Sequence, residues 1–326
     1  MASAQGVHLI RISMQHLQNL NELQLQGSGL TIGTFDGVHR GHQHLLKQLV
    51  EDAHAQDMPA VVLTFFPHPS VIVRRRRPPS YITTPEEKVD LLGQWGVDYV
   101  ITQPFDWDLA QVTADVFLEL LERHLGVKSF WMGSNFALGY QRVGNVAYLK
   151  KAGVQRGFKV FVVHPVIEDG DIISSTRVRA ALQVGDVASA SRLLGRPFMI
   201  PGEVQQGAGR GKQLGFPTAN LKIWNGRAYP CPGVYACWAK IETGTYPAVT
   251  NIGVRPTFEE QMTTPVIETH LLDFEGDIYQ KEVELTFIER LREERKFPGA
   301  EGLLKQIRCD ITNARILLER MRKVDD

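Results

Sequence analysis

A chain of 326 residues exceeds one ordinary hydrophobic core and suits two domains of typical size. Lysine plus arginine equals aspartate plus glutamate at 36 each, so no overall field draws the protein to nucleic acid or anionic lipid, and any anion has to be met by a local site. Three cysteines, Cys231, Cys237 and Cys309, with no CxxC pair, argue against a disulfide framework or a structural zinc site.

The opening stretch MASAQGVHLIRISMQHL has no basic start followed by an apolar core, and the apolar runs PAVVLTFF and VFVV are too short to span a bilayer. The expectation is a soluble, cytoplasmic protein with neither membrane nor nucleic acid as partner. Up to about residue 185, short apolar runs alternate with helix-period segments. Residues 30–35, 60–66, 98–101, 129–132 and 159–163 read as strands buried on both faces. In GHQHLLKQLVEDAHAQ, Leu45, Leu46, Leu49, Val50 and Ala53 share one face of a helix over 42–55. TTPEEKVDLLGQW offers Thr84 as N-cap, Pro85 in the first turn and Glu87 to close a capping box. The alternation predicts a parallel sheet wrapped by helices. Ligands of such sheets bind at the carboxyl ends of the strands, which is where 33–42 and 133–139 fall.

Val184-Gly185-Asp186 breaks one helix and caps the next, which sets the expected division: a first domain over 1–185 and a second over 186–326. After the small helix DVASASRLLG, glycine and proline recur between GVYACWAKI, YPAVTNIG, PVIETHLLDF and KEVELTFIERL, successive strands of a β-barrel. The tail over 299–322, with Leu303, Leu304, Ile307, Ile311, Ala314, Ile316, Leu317 and Leu318, reads as one or two helices packed on that barrel. The run RRRR at 74–77 reads as a solvated loop.

Five stretches carry chemistry. TIGTFDGVHRGH (31–42) ends a strand in a glycine-punctuated turn with His39 and His42 three residues apart. A metal there would use His44 as well, but no carboxylate or thiol stands at zinc-ligand spacing. Two surface histidines at a helix start are the plain alternative. In the third reading the helix N-terminus presents unpaired N–H groups to an anion, and the imidazoles donate to phosphate oxygens and offset the charge that develops on attack. In TFFPHPS (64–70) aromatic and proline surfaces suit a flat ring system, although Phe65 and Phe66 suit a core equally. In GSNFALG (133–139) the flanking glycines let backbone approach a ligand, and Asn135 offers both donor and acceptor. In ISSTRVRAAL (173–182) the Ser/Thr cluster caps a helix, and Arg177 and Arg179 supply fixed positive charge. GAGRGKQLGFPTANL (207–221) fails the Walker A spacing, since Gln213 stands where Ser or Thr should coordinate magnesium. Gly207, Gly209 and Gly211 nevertheless leave a backbone able to wrap phosphates, and Thr218 with Asn220 offers two oxygens to a hard cation.

These stretches resemble, in order and spacing, the bacterial-type bifunctional riboflavin kinase/FMN adenylyltransferases. GTFDGVHRGHQ is similar to the H-x-G-H signature of nucleotidyltransferases that transfer AMP from ATP, and GFPTAN, TNIGVRPTF, VIETHLLDF and LREERKF resemble the riboflavin kinase domain. The resemblance implies a Rossmann-like nucleotidyltransferase domain followed by a small kinase barrel with a C-terminal helix. It implies phosphorylation of riboflavin to FMN in the barrel and adenylylation of FMN to FAD in the first domain, with Mg2+ and ATP at both steps and flavins as substrates and products. Gly33, Phe35, Asn135, Ser174, Ser175, Thr176, Arg177 and Arg179 then contact the adenylyl donor around His39 and His42. Phe65, Pro67, His68 and Pro69 face the flavin. In the kinase half, Gly207, Gly209, Arg210, Gly211, Lys212 and Pro217 hold nucleotide, Thr218 and Asn220 hold Mg-ATP, and Glu268 is the base. A carboxylate on a barrel strand can independently accept the proton of a ribityl hydroxyl attacking a γ-phosphate. Two other readings stay open on sequence: transfer to another phosphate acceptor beside a vestigial kinase, and a non-catalytic flavin-binding module.

Overall fold

The computed structural model describes residues 14–73, 80–206, 215–256 and 263–325. They form two compact units, Met1–Pro79 with Thr83–Ile173, and Ser80–Ile82 with Ser174–Asp326.

The first unit is a six-stranded parallel sheet. Its strands are β1 (Gln15–Leu17), β2 (Ser28–Ile32), β3 (Ala60–Phe66), β4 (Tyr99–Pro104), β5 (Val127–Gly133) and β6 (Lys159–Val163), in the spatial order β1-β4-β3-β2-β5-β6. Helices cover both faces: α1 (Arg40–Ala55), α2 (Pro69–Val73), α3 (Pro85–Gly93), α4 (Trp107–Gln111), α5 (Ala114–Leu125) and α6 (Val146–Arg156). The period-2 geometry of strands divides the core. Val61, Leu63, Phe130 and Met132 pack with Phe117, Leu118 and Leu121 of α5, whereas Val62, Val100 and Trp131 pack with Leu45, Leu46 and Leu49 of α1 and Leu92 of α3. Chain order reverses between β2 and β5, so the crevice for a ligand opens at their carboxyl ends.

The expected strands are present with shifted ends. The first stops at Ile32 rather than residue 35, because Phe35 adopts φ 47° and turns the chain out of the sheet. The short edge strand β1 has too few residues for a readable alternation. The helix expected over 42–55 starts at Arg40, because His39 is its N-cap and accepts the backbone N–H of His42 on Nδ1 at 3.4 Å. In α3, Thr84 and Glu87 close the expected capping box with Pro85 in the first turn.

The second unit contains a closed antiparallel barrel of β7 (Phe198–Gln205), β8 (Ala219–Lys222), β9 (Gly233–Ile241), β10 (Gly244–Pro256), β11 (Thr263–Leu271) and β12 (Glu282–Arg292), in the order β7-β8-β11-β10-β9-β12. The first two of these lack a clear alternating pattern and were not expected. One helix, α9 (Ala300–Asp325), accounts for the tail. Ala314 and Leu318 bury against Ala236, Trp238 and Val249, while Ile316 turns to solvent. Arg292 clasps buried Asp310 of α9 through Nε at 3.0 Å and Nη2 at 2.8 Å.

Helices α7 (Ser175–Gln183) and α8 (Val187–Leu194) meet where Gly185 takes φ +78° and Asp186 caps α8 by accepting the N–H of Ser189 at 2.8 Å. The helix break is where the sequence set it, but packing divides the units at Ile173 and Ser174. The reason is local: α7 packs on α8, the N–H of Cys231 donates to the Leu182 carbonyl at 2.9 Å, and Arg290 Nη1 reaches the Val184 carbonyl at 3.5 Å.

Candidate functional site

The turn from Gly33 to His42 is held from several sides. Asp36 and Val38 are buried, and Val38 has φ 39°, a conformation that persists in a non-glycine residue only when its surroundings fix it. The N–H of Val38 donates to the Phe35 carbonyl at 3.0 Å, that of Gly37 to the Thr83 hydroxyl at 3.2 Å, and Gln43 Nε2 to the Val38 carbonyl at 2.8 Å. The consequence is a rigid entry to α1.

At that entry the rings of His39 and His42 stack, 3.6 Å between centroids and 17° between planes, with Phe35 edge-on to His42 at 5.0 Å. His42 Nδ1 is buried and has no hydrogen-bond partner among the described residues. Burial first, then the neighbouring His39 and Lys88, hold the His42 pKa well below the usual histidine value, so the ring is neutral at rest. His44 is exposed and its Nε2 meets Gln48 Nε2 at 3.0 Å. Arg40, between the two stacked histidines in sequence, pairs with Glu168 at 2.5 Å.

Beside this turn a cavity of about 820 Å³ opens at the carboxyl ends of β2 to β5. Of the residues singled out in the sequence, Gly33, Phe65, His68, Pro69 and Asn135 line it; Phe35 and Pro67 are not among its lining residues. His68 Nδ1 accepts the N–H of Ser70 at 3.1 Å, which leaves the proton of a neutral ring on Nε2. Phe105, Trp107, Phe117 and Tyr140 add aromatic walls that sequence reasoning passed over. The pair in QPFDWDLA directly after a strand was the available signal for two of them. The Asn135 backbone carbonyl accepts Arg142 Nη2 at 2.9 Å, which ties these two wall residues together. An aromatic, mostly apolar cavity with a few polar groups at a sheet's switch point has the form of a site for a flat heterocycle.

Ser174 caps α7 by accepting the N–H of Arg177 at 3.3 Å, and Ser175, Thr176, Arg177 and Arg179 occupy the first turns of that helix, in the second unit.

In the barrel, the register pairs Asn220 of β8 with Glu268 of β11, and Glu268 in turn with Asn251 of β10. Directly paired residues share a sheet face, so Asn220, Glu268 and Asn251 form one polar row across three strands. All three are half-buried, whereas Ala219, Ile267, Thr269, Thr250 and Ile252 between them are buried. Thr218 precedes Asn220 by two residues, the spacing that returns an extended chain to the same face. Pro217 is held at its carbonyl, which His270 Nδ1 meets at 2.7 Å. Asn251 was missed because its contribution depends on register. Gly207, Gly209, Arg210, Gly211 and Lys212, like the arginine run at 74–77, lie outside the described residues.

Comparison with known proteins matches a FAD synthetase domain over residues 21–177 and a Riboflavin kinase domain over 194–318. A Bifunctional riboflavin kinase/FMN adenylyltransferase of Pseudomonas fluorescens is 39% identical over 93% of this chain and 98% of its own. That of Escherichia coli (strain K12) is 38% identical over 92% of this chain and 95% of its own. A crystal structure titled Macrolide-efflux Protein from Streptococcus pneumoniae superposes with TM-score 0.84 at 29% identity, covering 93% of this chain and 99% of that one.

Proposed function

The chain belongs to the bifunctional riboflavin kinase/FMN adenylyltransferases, and from that premise we propose which of its residues carry each of the two reactions. Both domains are present in one chain, so the protein phosphorylates riboflavin to FMN and adenylylates FMN to FAD. The observation that carries the residue assignment is the stacked His39–His42 pair at the start of α1, beside the aromatic cavity at the switch point of the sheet.

In the adenylyl step an oxygen of the FMN phosphate attacks the α-phosphorus of ATP and pyrophosphate leaves. Neither partner needs a protein nucleophile, so catalysis is positioning and charge stabilisation. The open N–H groups of the first turn of α1 face the anion, and His42 and His39 donate to phosphate oxygens as negative charge builds. A neutral His42 suits this role: it costs less to bury before the nucleotide arrives, and the phosphates then supply the charge that favours its protonated form. Gly33, Phe35, Asn135, Ser174, Ser175, Thr176, Arg177 and Arg179 keep the nucleotide-contacting roles that the motifs imply. Phe65, His68 and Pro69 serve the flavin, with Trp107 and Tyr140 added to the ring-binding wall, while Pro67, outside that wall, joins Phe66 to His68 in the same turn.

In the kinase step the ribityl hydroxyl attacks the γ-phosphorus of ATP, Glu268 takes its proton, and ADP leaves. Thr218 and Asn220 are oxygen donors, the type a hard divalent cation prefers, and would hold Mg2+ with phosphate and water oxygens completing its shell. A divalent cation held there would neutralise phosphate charge. Asn251 sits across the ladder from Glu268 to orient its carboxylate. Gly207, Gly209, Arg210, Gly211, Lys212 and Pro217 are assigned to the nucleotide. Membrane association is not part of this reading; no described helix is long and apolar enough to cross a bilayer.

The deciding experiment incubates the protein with riboflavin and Mg-ATP and resolves the flavins by chromatography. FMN followed by FAD is expected; bound but unchanged riboflavin would overturn the reading.

A further inference from the structure

Lys88 belongs to none of the five chemistry-bearing stretches, yet it is one of the best-buried charged residues of the first unit, only 6% exposed. It projects from α3 so that Nζ donates to the Thr34 carbonyl at 3.3 Å and to the Thr64 hydroxyl at 3.0 Å. The Thr64 hydroxyl itself donates to the same Thr34 carbonyl at 3.3 Å. Thr34 follows Gly33 on the cavity wall, and Thr64, itself fully buried, immediately precedes Phe65, which lines that wall. One ammonium therefore ties the carboxyl end of β3 to the residue that follows β2, behind two residues of the cavity wall, Thr34 and Phe65. Lysine is rarely this buried, because removing its charge from water is costly, and a methionine of similar length would fill the space without that cost. Packing alone does not account for it.

We propose that Lys88 is a positioning residue for adenylyl transfer: through Thr34 and Thr64 its ammonium holds the ends of β2 and β3, and with them the turn at 33–42, in the arrangement the nucleotide phosphates meet. This rests on the reading of the adenylyl site given above. The ionisable groups that act on Lys88, or that it acts on, are Asp36 from the turn, Glu86 from its own helix, His42 from α1 and His16 from β1. Burial lowers the Lys88 pKa from 10.5 to about 8, against the opposing pull of Asp36 and then Glu86. With the proton goes the charge that strengthens both donations, so the brace loosens in an accessible alkaline range.

The test uses the full chain and follows FAD formation from supplied FMN and Mg-ATP, with FMN formation from riboflavin measured in the same preparations. In the wild type the adenylyl rate is expected to fall as pH rises through the Lys88 titration. Lys88→Met should lower kcat at pH 7 by about tenfold or more, leave FMN formation unchanged and abolish the alkaline limb. Thr64→Val keeps the lysine but removes an acceptor for its charged form, so the limb should move to lower pH. A full adenylyl rate in Lys88→Met, or an alkaline limb that survives in it, overturns the proposal. If Lys88→Met loses both steps through misfolding, Thr64→Val decides, and an unchanged rate and limb in that variant overturn it. A wild type that makes no FAD overturns the underlying site assignment and the proposal with it, an outcome distinct from failure of the variants alone.

Discussion

His42 presents its backbone N–H to His39 Nδ1 and its ring to the His39 ring, so the two residues are joined twice, by a 3.4 Å backbone-to-ring hydrogen bond and by a 3.6 Å ring stack. Moving either ring moves the N-terminus of α1. Replacing His42 by alanine is accordingly expected to slow FAD formation from FMN on the order of 10²-fold, the typical effect of losing one charge-stabilising donor. Riboflavin phosphorylation should continue, and flavin chromatography would show FMN accumulating. Loss of both steps from a folded His42→Ala protein would contradict the division of labour.

The same residue sets a pH dependence of stability. In the unfolded chain His42 takes up a proton below its usual 6.5, whereas in the folded protein burial prevents this until well lower pH. The unfolded state then binds more protons, so His42 makes stability fall as pH drops below 6.5, by up to about 1.4 kcal/mol per pH unit. Urea titrations at pH 7.5 and 5.5 should give a smaller acid loss for His42→Asn than for the wild type. An equal loss in both would show that His42 does not titrate as described.

Register across the barrel brings Asn220 and Glu268 opposite each other, in a different unit from the stacked histidines. Asn220→Ala and Glu268→Gln should each prevent FMN formation while leaving conversion of supplied FMN to FAD intact, because both residues belong to one row across β8 and β11 of the barrel unit. Single-substrate assays with riboflavin or FMN check this directly.

Trp107 lines the cavity but is 54% exposed, so its removal leaves little void in the core. Trp107→Ala is expected to raise KM for FMN about tenfold, near 1.4 kcal/mol of stacking and burial, with an unfolding midpoint close to wild type. A change confined to kcat would place the ring contact elsewhere.

Gly139 has φ 74° and ψ 171°, a region essentially reserved for glycine, and an added Cβ would stand 2.5 Å from the Ala114 backbone nitrogen. Gly139→Ala should cost about 2 kcal/mol or more and disturb the cavity wall that Leu138 and Tyr140 form on either side. Chemical denaturation of the variant measures the first, and FMN binding the second.

Local physics made much of this protein readable in advance. The strands at 60–66 and 159–163, the Thr84–Glu87 capping box and the Gly185–Asp186 helix junction all follow from short-range pattern, and the structure has each of them. Where the pattern is too short or broken, reading failed: three residues of β1 carry no alternation, and β7 and β8 are interrupted or brief. Helix ends were displaced where a side chain outside the apolar stripe, His39, does the capping.

By itself the sequence determined the two-part architecture and the order of the candidate stretches along it, because apolar period, caps and motif spacing are local properties. Only the tertiary structure decided that His39 and His42 stack, that Trp107 and Tyr140 wall the cavity, that Asn251 stands opposite Glu268, and that Lys88 braces Thr34 and Thr64. Each of these depends on strand register or on helix placement over the sheet, and such long-range contacts leave no mark in the spacing of residues along the chain.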